Sequence, residues 1–339
     1  MLKKIIFFNV FFCSTFCFAQ LGGQSTYQFL NLVSSPRQAA LGGKVLTNID
    51  WDVTQALYNP STINVEMDNQ LALNYTSYLG GITYGTAAYA YTWDRRVQTY
   101  HAGLTYINYG EFAGYNEFGE ETGEFSGTEM ALSLGYAAQV GFTDFYVGAN
   151  LKFINSSLER FTSFGIATDL AIIYINKRLD FQGTLVVRNL GTQITTYAET
   201  YESLPLEIDI GLSQKLKNVP LRWHITLENL QQWPIGNPNP ARTTTDFDGN
   251  QTPEKVGFLA QVIRHTIVGA ELFPNKGFNI RLGYNFRRAE ELRILEQRNF
   301  SGLSAGFSIR LNKMRFSYTH AKYTAAANSN FFGLQVDLR

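Results

Sequence analysis

Apolar residues alternate with polar or small residues in one segment after another from position 70 to position 339. In residues 206–213, Leu, Ile, Ile and Leu alternate with Glu, Asp, Gly and Ser, and residues 221–228 and 278–285 repeat the pattern. A period of two is typical of a β-strand whose two faces meet different environments. The chain after residue 69 is therefore predicted to be all-β.

Alternation alone also fits a soluble β-sandwich. The segments run to about ten residues, a length that crosses a bilayer at a tilt of ~45° and exceeds the five or six residues usual in globular strands. We therefore predict a transmembrane antiparallel β-barrel with about fourteen strands. The predicted strands begin near Gln70, Ile82, Val97, Thr128, Thr143, Ser163, Phe181, Leu204, Pro220, His265, Phe278, Gly302, Met314 and Asn330.

The connections between the predicted strands also alternate in length. Long connections are expected at one end of the barrel, where only the first is brief. Short turns at one end and long loops at the other are typical of an outer-membrane barrel. A soluble sandwich has no reason to sort its connections by length in this way. The short connections are residues 94–96, 141–142, 176–180, 214–219, 274–276 and 312–313. The long connections are residues 108–127, 189–203, 229–264 and 287–301.

The composition agrees with a barrel in a membrane. Aromatic residues make up 14% of the chain and charged residues only 17%, whereas ordinary soluble domains carry about 25% charged residues. Membrane barrels use aromatic rings at both lipid interfaces. The 28 basic residues are balanced by 28 acidic ones, which argues against a nucleic-acid partner.

Residues 1–19 have the features of a secretory signal peptide. Two lysines precede a short apolar run, and small and neutral residues lead to a predicted cleavage between Ala19 and Gln20. The apolar run is shorter than the ~20 residues of a spanning helix, and Phe16 stands where a lipoprotein signal should have a small residue. Both cysteines lie in this segment, so the mature chain is predicted to have neither thiol nor disulfide.

Residues 20–69 show no sustained period, and they contain two Gly-Gly pairs, two prolines and an Asp-Trp-Asp sequence. We expect this segment, here called the hatch, to lie inside the barrel formed by residues 70–339. Mixed charges on the inward faces favour a filled lumen, because a general porin would more often show one sign of charge at its constriction. The charged residues predicted to face the lumen are Lys152, Arg188, Glu207, Asp209, Arg222, Glu228, Glu271, Arg281, Arg310 and Arg315.

No motif for catalysis, metal or cofactor binding occurs, so we predict a non-enzymatic chain without catalytic, cofactor-binding or metal-binding residues. The four histidines lie in no H-E-x-x-H spacing, and His101 and His224 are predicted to face inward. There is no G-x-S-x-G elbow. Residues 246–250 (DFDGN) match only the start of a calcium loop, and a turn explains them equally well. A Ser or Asp assembled with a His from distant strands stays open.

Two segments within the long connections lack alternation. Residues 258–264 (FLAQVIR) and 290–297 (EELRILEQ) are predicted to form short helices at the outer face. Partly apolar helices at that face suit a docking surface better than a bare channel mouth. A role in capping the barrel explains them equally well.

Five sequence elements stand out after the signal peptide: STYQFL at residues 25–30, PRQAALGG at 36–43, YNPS at 58–61, VIRHTIVGAEL at 262–272 and the run at 278–287. They resemble the PorQ family of the type IX secretion system, which is related to PorV and to FadL-like outer-membrane barrels. The resemblance covers the chain after the signal peptide and implies a fourteen-stranded barrel with an N-terminal hatch and no catalysis. It also implies partners, namely the surface protein PorZ and the PorU and PorV components of the cell-surface attachment complex.

We therefore expect an outer-membrane component of type IX protein secretion that anchors a surface partner through loops such as 108–127 and 229–264. The alternative is a FadL-like transporter of hydrophobic solutes, with the hatch as a gate. A continuous apolar pocket beside Trp51 with a lateral opening would favour transport. A barrel hydrolase would need a Ser–His or His–Asp pair within hydrogen-bond reach at the rim.

Overall fold

The structure, a computed structural model, confirms the predicted fold class as a closed antiparallel barrel of fourteen strands. It describes residues 25–78, 81–94, 98–235, 244–245, 251–252, 256–274, 276–292, 300–323 and 328–339. The first barrel strand pairs with the last, which closes the ring. The barrel strands are β1 (Gln70–Ser77), β2 (Thr83–Asp94), β3 (Gln98–Tyr115), β4 (Glu121–Gln139), β5 (Phe145–Leu158), β6 (Phe161–Asn176), β7 (Phe181–Thr195), β8 (Glu207–Lys215), β9 (Leu221–Leu227), β12 (Thr266–Leu272), β13 (Phe278–Asn285), β14 (Leu303–Leu311), β15 (Met314–Lys322) and β16 (Asn328–Asp337). Two further short strands, β10 (Thr244–Thr245) and β11 (Gln251–Thr252), pair with each other outside the ring.

The two ends of the barrel differ in their connections. The strands that end at the short-turn end are connected by residues 95–97, 140–144, 177–180, 216–220, 273–277 and 312–313. Those that end at the long-loop end are connected by residues 78–82, 116–120, 159–160, 196–206, 228–265, 286–302 and 323–327, of which only part lies in the described ranges. The predicted sorting of connections is therefore correct for the short-turn end. It is wrong in part for the long-loop end, where β5 and β6 are joined by two residues only.

Strands β3 to β7 are 14 to 19 residues long, whereas the other barrel strands have 7 to 12 residues. The predicted loop at 108–127 is consequently wrong. There β3 and β4 continue as a paired hairpin past a register shift between Asn108 and Glu111. The predicted loop at 189–203 is also too long, because β7 continues to Thr195. One side of the wall therefore rises as a raised hairpin, residues 109–126, at the long-loop end.

The two faces of the wall differ as the alternation predicts. On β4, Leu132, Leu134 and Tyr136 are exposed outward, while Ala131 and Ser133 are buried. The same division appears on β13 and β14. The barrel therefore presents an apolar outer surface and encloses a polar interior, the arrangement that a lipid-facing barrel requires.

The described part of the hatch, residues 25–69, is built from one-turn helices rather than from long periodic elements. Helix α1 (Pro36–Ala40) is followed by 3₁₀ turns at Val53–Leu57, Pro60–Thr62 and Val65–Met67, and one more turn precedes it at Gln28–Asn31. Four of the five turns begin with a side chain that accepts a hydrogen bond from a backbone N–H. Capping of this kind satisfies the first N–H groups of a turn. The four capping residues are Ser35, Asp52, Asn59 and Asn64.

Two more helices lie at the long-loop end. Helix α2 (Phe258–Arg264) has the bounds predicted for it. Helix α3 (Phe286–Glu291) begins before the predicted helix at 290–297, of which residues 293–297 lie outside the described residues. No helix in the described ranges is long and apolar enough to cross a membrane. The predicted signal peptide with its cleavage after Ala19 and the loop at 246–250 also lie outside the described residues.

Candidate functional site

The lumen holds a cluster of arginines and carboxylates centred on Glu271 of β12. Arg281 of β13 donates from Nε to Glu271 Oε1 at 2.8 Å, and Arg37 of the hatch donates from Nη2 to Oε2 at 3.1 Å. Arg222 of β9 lies 3.8 Å from the same oxygen. The Glu271 side chain is fully buried, and its charge is neutralised by arginines from both the wall and the hatch. A buried carboxylate needs such partners, because an isolated charge there is very costly.

Arg37 links this cluster to Asp50, a carboxylate of the hatch itself. Its guanidinium makes two hydrogen bonds to Asp50, of 2.7 and 2.9 Å. Burial alone would raise the pKa of Asp50, but the adjacent Arg37 and the nearby Arg222 hold that pKa below its ordinary value. Bidentate pairs of this geometry are among the stronger ones in proteins. Asp50 is therefore ionised, and it holds the Arg37 guanidinium in place within the hatch while lying 3.6 Å from Arg222 of the wall.

A second cluster surrounds Lys44 of the hatch. Its Nζ lies 2.9 Å from Glu207, 3.4 Å from Asp209 and 3.4 Å from Glu228. Burial opposes the charged form of Lys44, but the three carboxylates outweigh burial and raise its pKa above the ordinary value. Arg188 Nη1 joins the cluster through Glu207 at 2.8 Å. One hatch lysine thus holds three wall carboxylates together.

Direct packing supplements these charges. Near the long-loop end, Tyr27, Phe29 and Leu30 of the hatch pack in one buried apolar group with wall residues that include Ile107 and Ile154. At several places the hatch backbone touches the wall where a glycine leaves room for it. The interior of the barrel is therefore a packed core with buried ion pairs.

Most of the predicted lumen-facing charges lie on inward faces and form ion pairs, and two of them, Arg310 and Arg315, form none among the described residues. Lys152 pairs with Asp169 at 2.8 Å. Arg310 is exposed at the short-turn end, where its Nε donates to the Asn312 carbonyl at 3.1 Å. Arg315 lies over the Trp51 ring, with its guanidinium carbon 3.6 Å from the ring centroid. Within the described residues, neither arginine contacts a carboxylate within 4.0 Å.

The four histidines are scattered. His101 and His224 are buried on inward faces as predicted, and His224 Nδ1 lies 3.5 Å from Thr47 Oγ1. His265 contacts the carbonyls of Glu228 and Trp233, and His320 contacts Asn330. None of these contacts joins a histidine to a serine or a carboxylate in the described part of the chain. Among the described residues, no group of three or more His, Cys, Asp or Glu side chains is placed to hold a metal ion.

The short-turn end opens into a cavity of about 730 Å³ next to the hatch. Its lining includes Trp51, Glu66, Arg222, Arg310 and Arg315, with lysines of the short turns at its rim. Cavities deeper beside the hatch hold only about 20 Å³ each. A continuous apolar pocket beside Trp51 would have favoured transport, but charged side chains line each of these cavities that Trp51 borders.

The long-loop end carries exposed apolar side chains. On helix α2, Phe258, Leu259 and Ile263 are 68%, 74% and 50% exposed. Trp233 stacks on His265 with ring centroids 5.0 Å apart, and it also contacts Phe258 at 5.4 Å. The helix is thereby held in place while much of its apolar surface faces outward. We call these three exposed residues the α2 patch.

The raised hairpin carries a second apolar surface. Phe112 and Phe125 stack across the two strands with ring centroids 5.4 Å apart, and Tyr115 and Phe118 are exposed near the tip. Sequence analysis placed these residues in the long connection at 108–127 and missed the aromatic pair. The strand alternation of residues 112 and 125 across a hairpin was the signal that could have found it.

Comparison with known proteins gives structural likenesses only. No family model matches the chain, and no curated protein matches it. A FadL homologue from Pseudomonas aeruginosa is similar over 90% of this chain and 98% of its own, with 9% identity and a TM-score of 0.49. CdiB from Acinetobacter baumannii is similar over 79% of this chain and 59% of its own, with 9% identity and a TM-score of 0.34.

Proposed function

We propose that this chain is a non-enzymatic outer-membrane barrel that anchors a protein partner at the cell surface. An apolar outer wall around a polar interior supports the membrane location. The observation that carries the anchoring role is the filled lumen, in which Arg37 and Lys44 bind the hatch to the wall through buried ion pairs. A barrel with a filled lumen is rigid, and it holds the loops and helices of its long-loop end in fixed positions.

The partner surface in this proposal is the α2 patch together with the raised hairpin. An apolar patch that is rimmed by polar residues is typical of a protein–protein contact. Phe258 and Leu259 project from a helix that stacking on Trp233 keeps ordered, so that little entropy is lost when a partner binds. The described surface at this end therefore suits a folded protein.

We further propose, from the resemblance to the PorQ family, that this partner belongs to the attachment complex of type IX secretion. PorZ is then the protein held at the surface, with PorU and PorV as the further components. The proposal rests on the quoted sequence elements, such as PRQAALGG at residues 36–43.

The test is co-purification from membranes, followed by identification of the surface proteins that accompany the barrel. A variant with Phe258→Ser, Leu259→Ser and Ile263→Ser should lose the partner while the barrel stays heat-modifiable on gels. Deletion of the connection at 229–264 should do the same. A matched control, Leu216→Ser with Val219→Ser, removes exposed apolar residues at the short-turn end and should retain the partner. Full retention by the triple variant and the deletion would contradict the proposed surface.

The alternative function is transport of a hydrophobic solute, with the hatch as gate. The observation in its favour is access: a cavity of about 730 Å³, lined in part by charged side chains, reaches Trp51 of the hatch from the short-turn end. Uptake of a labelled fatty acid into liposomes that contain only the purified barrel would establish transport. Equal uptake by empty liposomes would leave anchoring as the supported function.

A further inference from the structure

The cavity at the short-turn end contains more positive charge than the neighbouring carboxylates can neutralise. A second cavity of about 440 Å³ adjoins it, and both are lined by Trp51, Val65, Glu66, Arg310 and Arg315. Lys177, Lys215 and Lys276 add basic groups to the larger cavity and Asp180 adds an acidic one. Lys313 adds a basic group to the smaller cavity, where Arg339 pairs with Asp337 at 3.5 Å. Together the two cavities are lined by eight basic side chains and four carboxylates.

The carboxylates deeper in the lumen are already paired. Asp50 binds Arg37 at 2.7 Å and lies 3.6 Å from Arg222, and Glu271 binds Arg37 and Arg281. Asp52 lies 3.4 Å from Arg37. These three carboxylates therefore pair with Arg37, Arg222 and Arg281. Neither Arg310 nor Arg315 is among their partners.

Of the two arginines without a carboxylate partner among the described residues, Arg315 is the buried one. It is 7% exposed, its guanidinium carbon lies 3.6 Å from the centroid of the Trp51 ring, and its Nη1 has no hydrogen-bond partner within the described residues. A buried donor without a partner costs free energy that a bound acceptor would recover. Stacking on an aromatic ring fixes the plane of a guanidinium and leaves its edge free for a ligand.

Arg310 stands directly opposite Arg315 on the neighbouring strand. The two residues are paired in the β14–β15 register, and both line both cavities. Like charges opposite each other across two strands repel. Glu66 of the hatch lines the same cavities, but neither arginine has a carboxylate within 4.0 Å among the described residues. An anion between the two arginines would relieve this repulsion.

We propose that Arg310 and Arg315 form a binding site for a phosphate group at the short-turn mouth of the barrel. A guanidinium presents parallel N–H donors that match phosphate oxygens, and two such groups on adjacent strands bind one phosphate from two sides. Trp51 orients Arg315, while the exposed Arg310 captures the group from solvent. The phosphate belongs to a soluble molecule or to a lipid headgroup at the membrane rim.

The test uses the full chain in nanodiscs of phosphatidylcholine, titrated with inorganic phosphate against sodium chloride of equal ionic strength. Calorimetry measures binding, and tryptophan fluorescence reports on the Arg315–Trp51 contact. We expect saturable binding that Arg315→Gln and Arg310→Gln each weaken about tenfold or more. Lys217→Gln, an exposed turn residue that lines neither cavity, should bind as the unchanged chain does.

Arg310 is exposed, so Arg310→Gln keeps the barrel folded, and heat-modifiability on gels checks this. The proposed site would be overturned if the phosphate titration released no more heat than the sodium chloride titration. It would also be overturned if both arginine variants bound phosphate as tightly as the unchanged chain. A second titration in phosphatidylglycerol nanodiscs identifies the source. Weaker phosphate binding there indicates a lipid headgroup as the occupant, and equal binding indicates a soluble phosphate compound.

Discussion

Gly283 of strand β13 lies against Gly42 of the hatch so closely that a Cβ on Gly283 would stand 2.1 Å from the Gly42 backbone nitrogen. The same Cβ would stand 2.2 Å from the carbonyl carbon of Leu41. Gly42 itself has a φ of +98°, which favours glycine because other residues rarely adopt it. Two glycines from distant parts of the chain therefore allow the hatch backbone to rest directly on the wall.

Replacing Gly283 by alanine should loosen the hatch. Because the atoms in the way belong to the backbone, the hatch has to shift, and we expect a loss of about 1–3 kcal/mol in the free energy of unfolding. Urea unfolding in lipid vesicles measures the loss, and trypsin cleavage after the buried Arg37 reports the displaced hatch. Gly257→Ala is the control, since a Cβ there meets no atom within 4 Å. Equal stability of the two variants would show that the contact is not tight.

Glu271 should be the carboxylate on which the lumen depends most. Glu271→Gln leaves the buried Arg281 without a carboxylate partner, and Arg37 keeps only Asp50 and Asp52, so the free energy of unfolding should fall by about 3 kcal/mol or more. The control is Glu291→Gln, which removes a partly exposed pair with Arg287 on helix α3 and should cost below about 1 kcal/mol. Similar losses in both variants, in the same urea titrations, would argue against a special role for the buried cluster.

Asp50 should make the barrel sensitive to acid. Its folded pKa lies below the unfolded value, so the unfolded chain takes up the proton first as the pH falls. Its contribution to stability is therefore complete above the unfolded pKa, about 3.9, and is lost as the pH falls through the folded pKa. Asp50→Asn should be less stable than the unchanged chain at pH 7, and the difference should shrink below about pH 4.

Unfolding midpoints measured between neutral pH and pH 3 check this dependence. Asp144→Asn, at an exposed position in a short turn, provides the matched control and should follow the unchanged chain at every pH. A difference between Asp50→Asn and the unchanged chain that stays constant down to pH 3 would mean that the Arg37 pair does not shift the titration.

The strands of the wall could be predicted from sequence, because in an alternating strand the polarity of each residue indicates which face of the wall it lies on. Fourteen strands, the buried face of β13 and the bounds of α2 all followed from local pattern. The raised hairpin was missed because its glycines and glutamates, such as Gly114 and Glu124, look like loop residues. There the strand pairing continues across a register shift that no period reveals.

The partners of the hatch were beyond sequence analysis for a different reason. Lys44 meets Glu207, and Arg37 meets Glu271, 163 and 234 positions away along the chain. Which wall residue a hatch residue meets depends on how the hatch is rotated and how deeply it is seated in the barrel. Both follow from packing of the whole lumen and leave no local pattern. The lumen-facing charges could be predicted as a set, but not as pairs.

The hatch should also be what closes the barrel to ions. In planar bilayers we expect no conductance steps from the unchanged chain, since Arg37, Lys44 and the apolar group around Phe29 fill the lumen. Deleting residues 25–67 should produce stable ion conductance, because a fourteen-stranded wall without its filling leaves an aqueous path. Deleting residues 117–119 at the exposed tip of the raised hairpin is the matched control and should leave the barrel closed. Heat-modifiability confirms that each deletion variant folds, and conductance of the unchanged chain equal to that of the hatch deletion would refute a filled lumen.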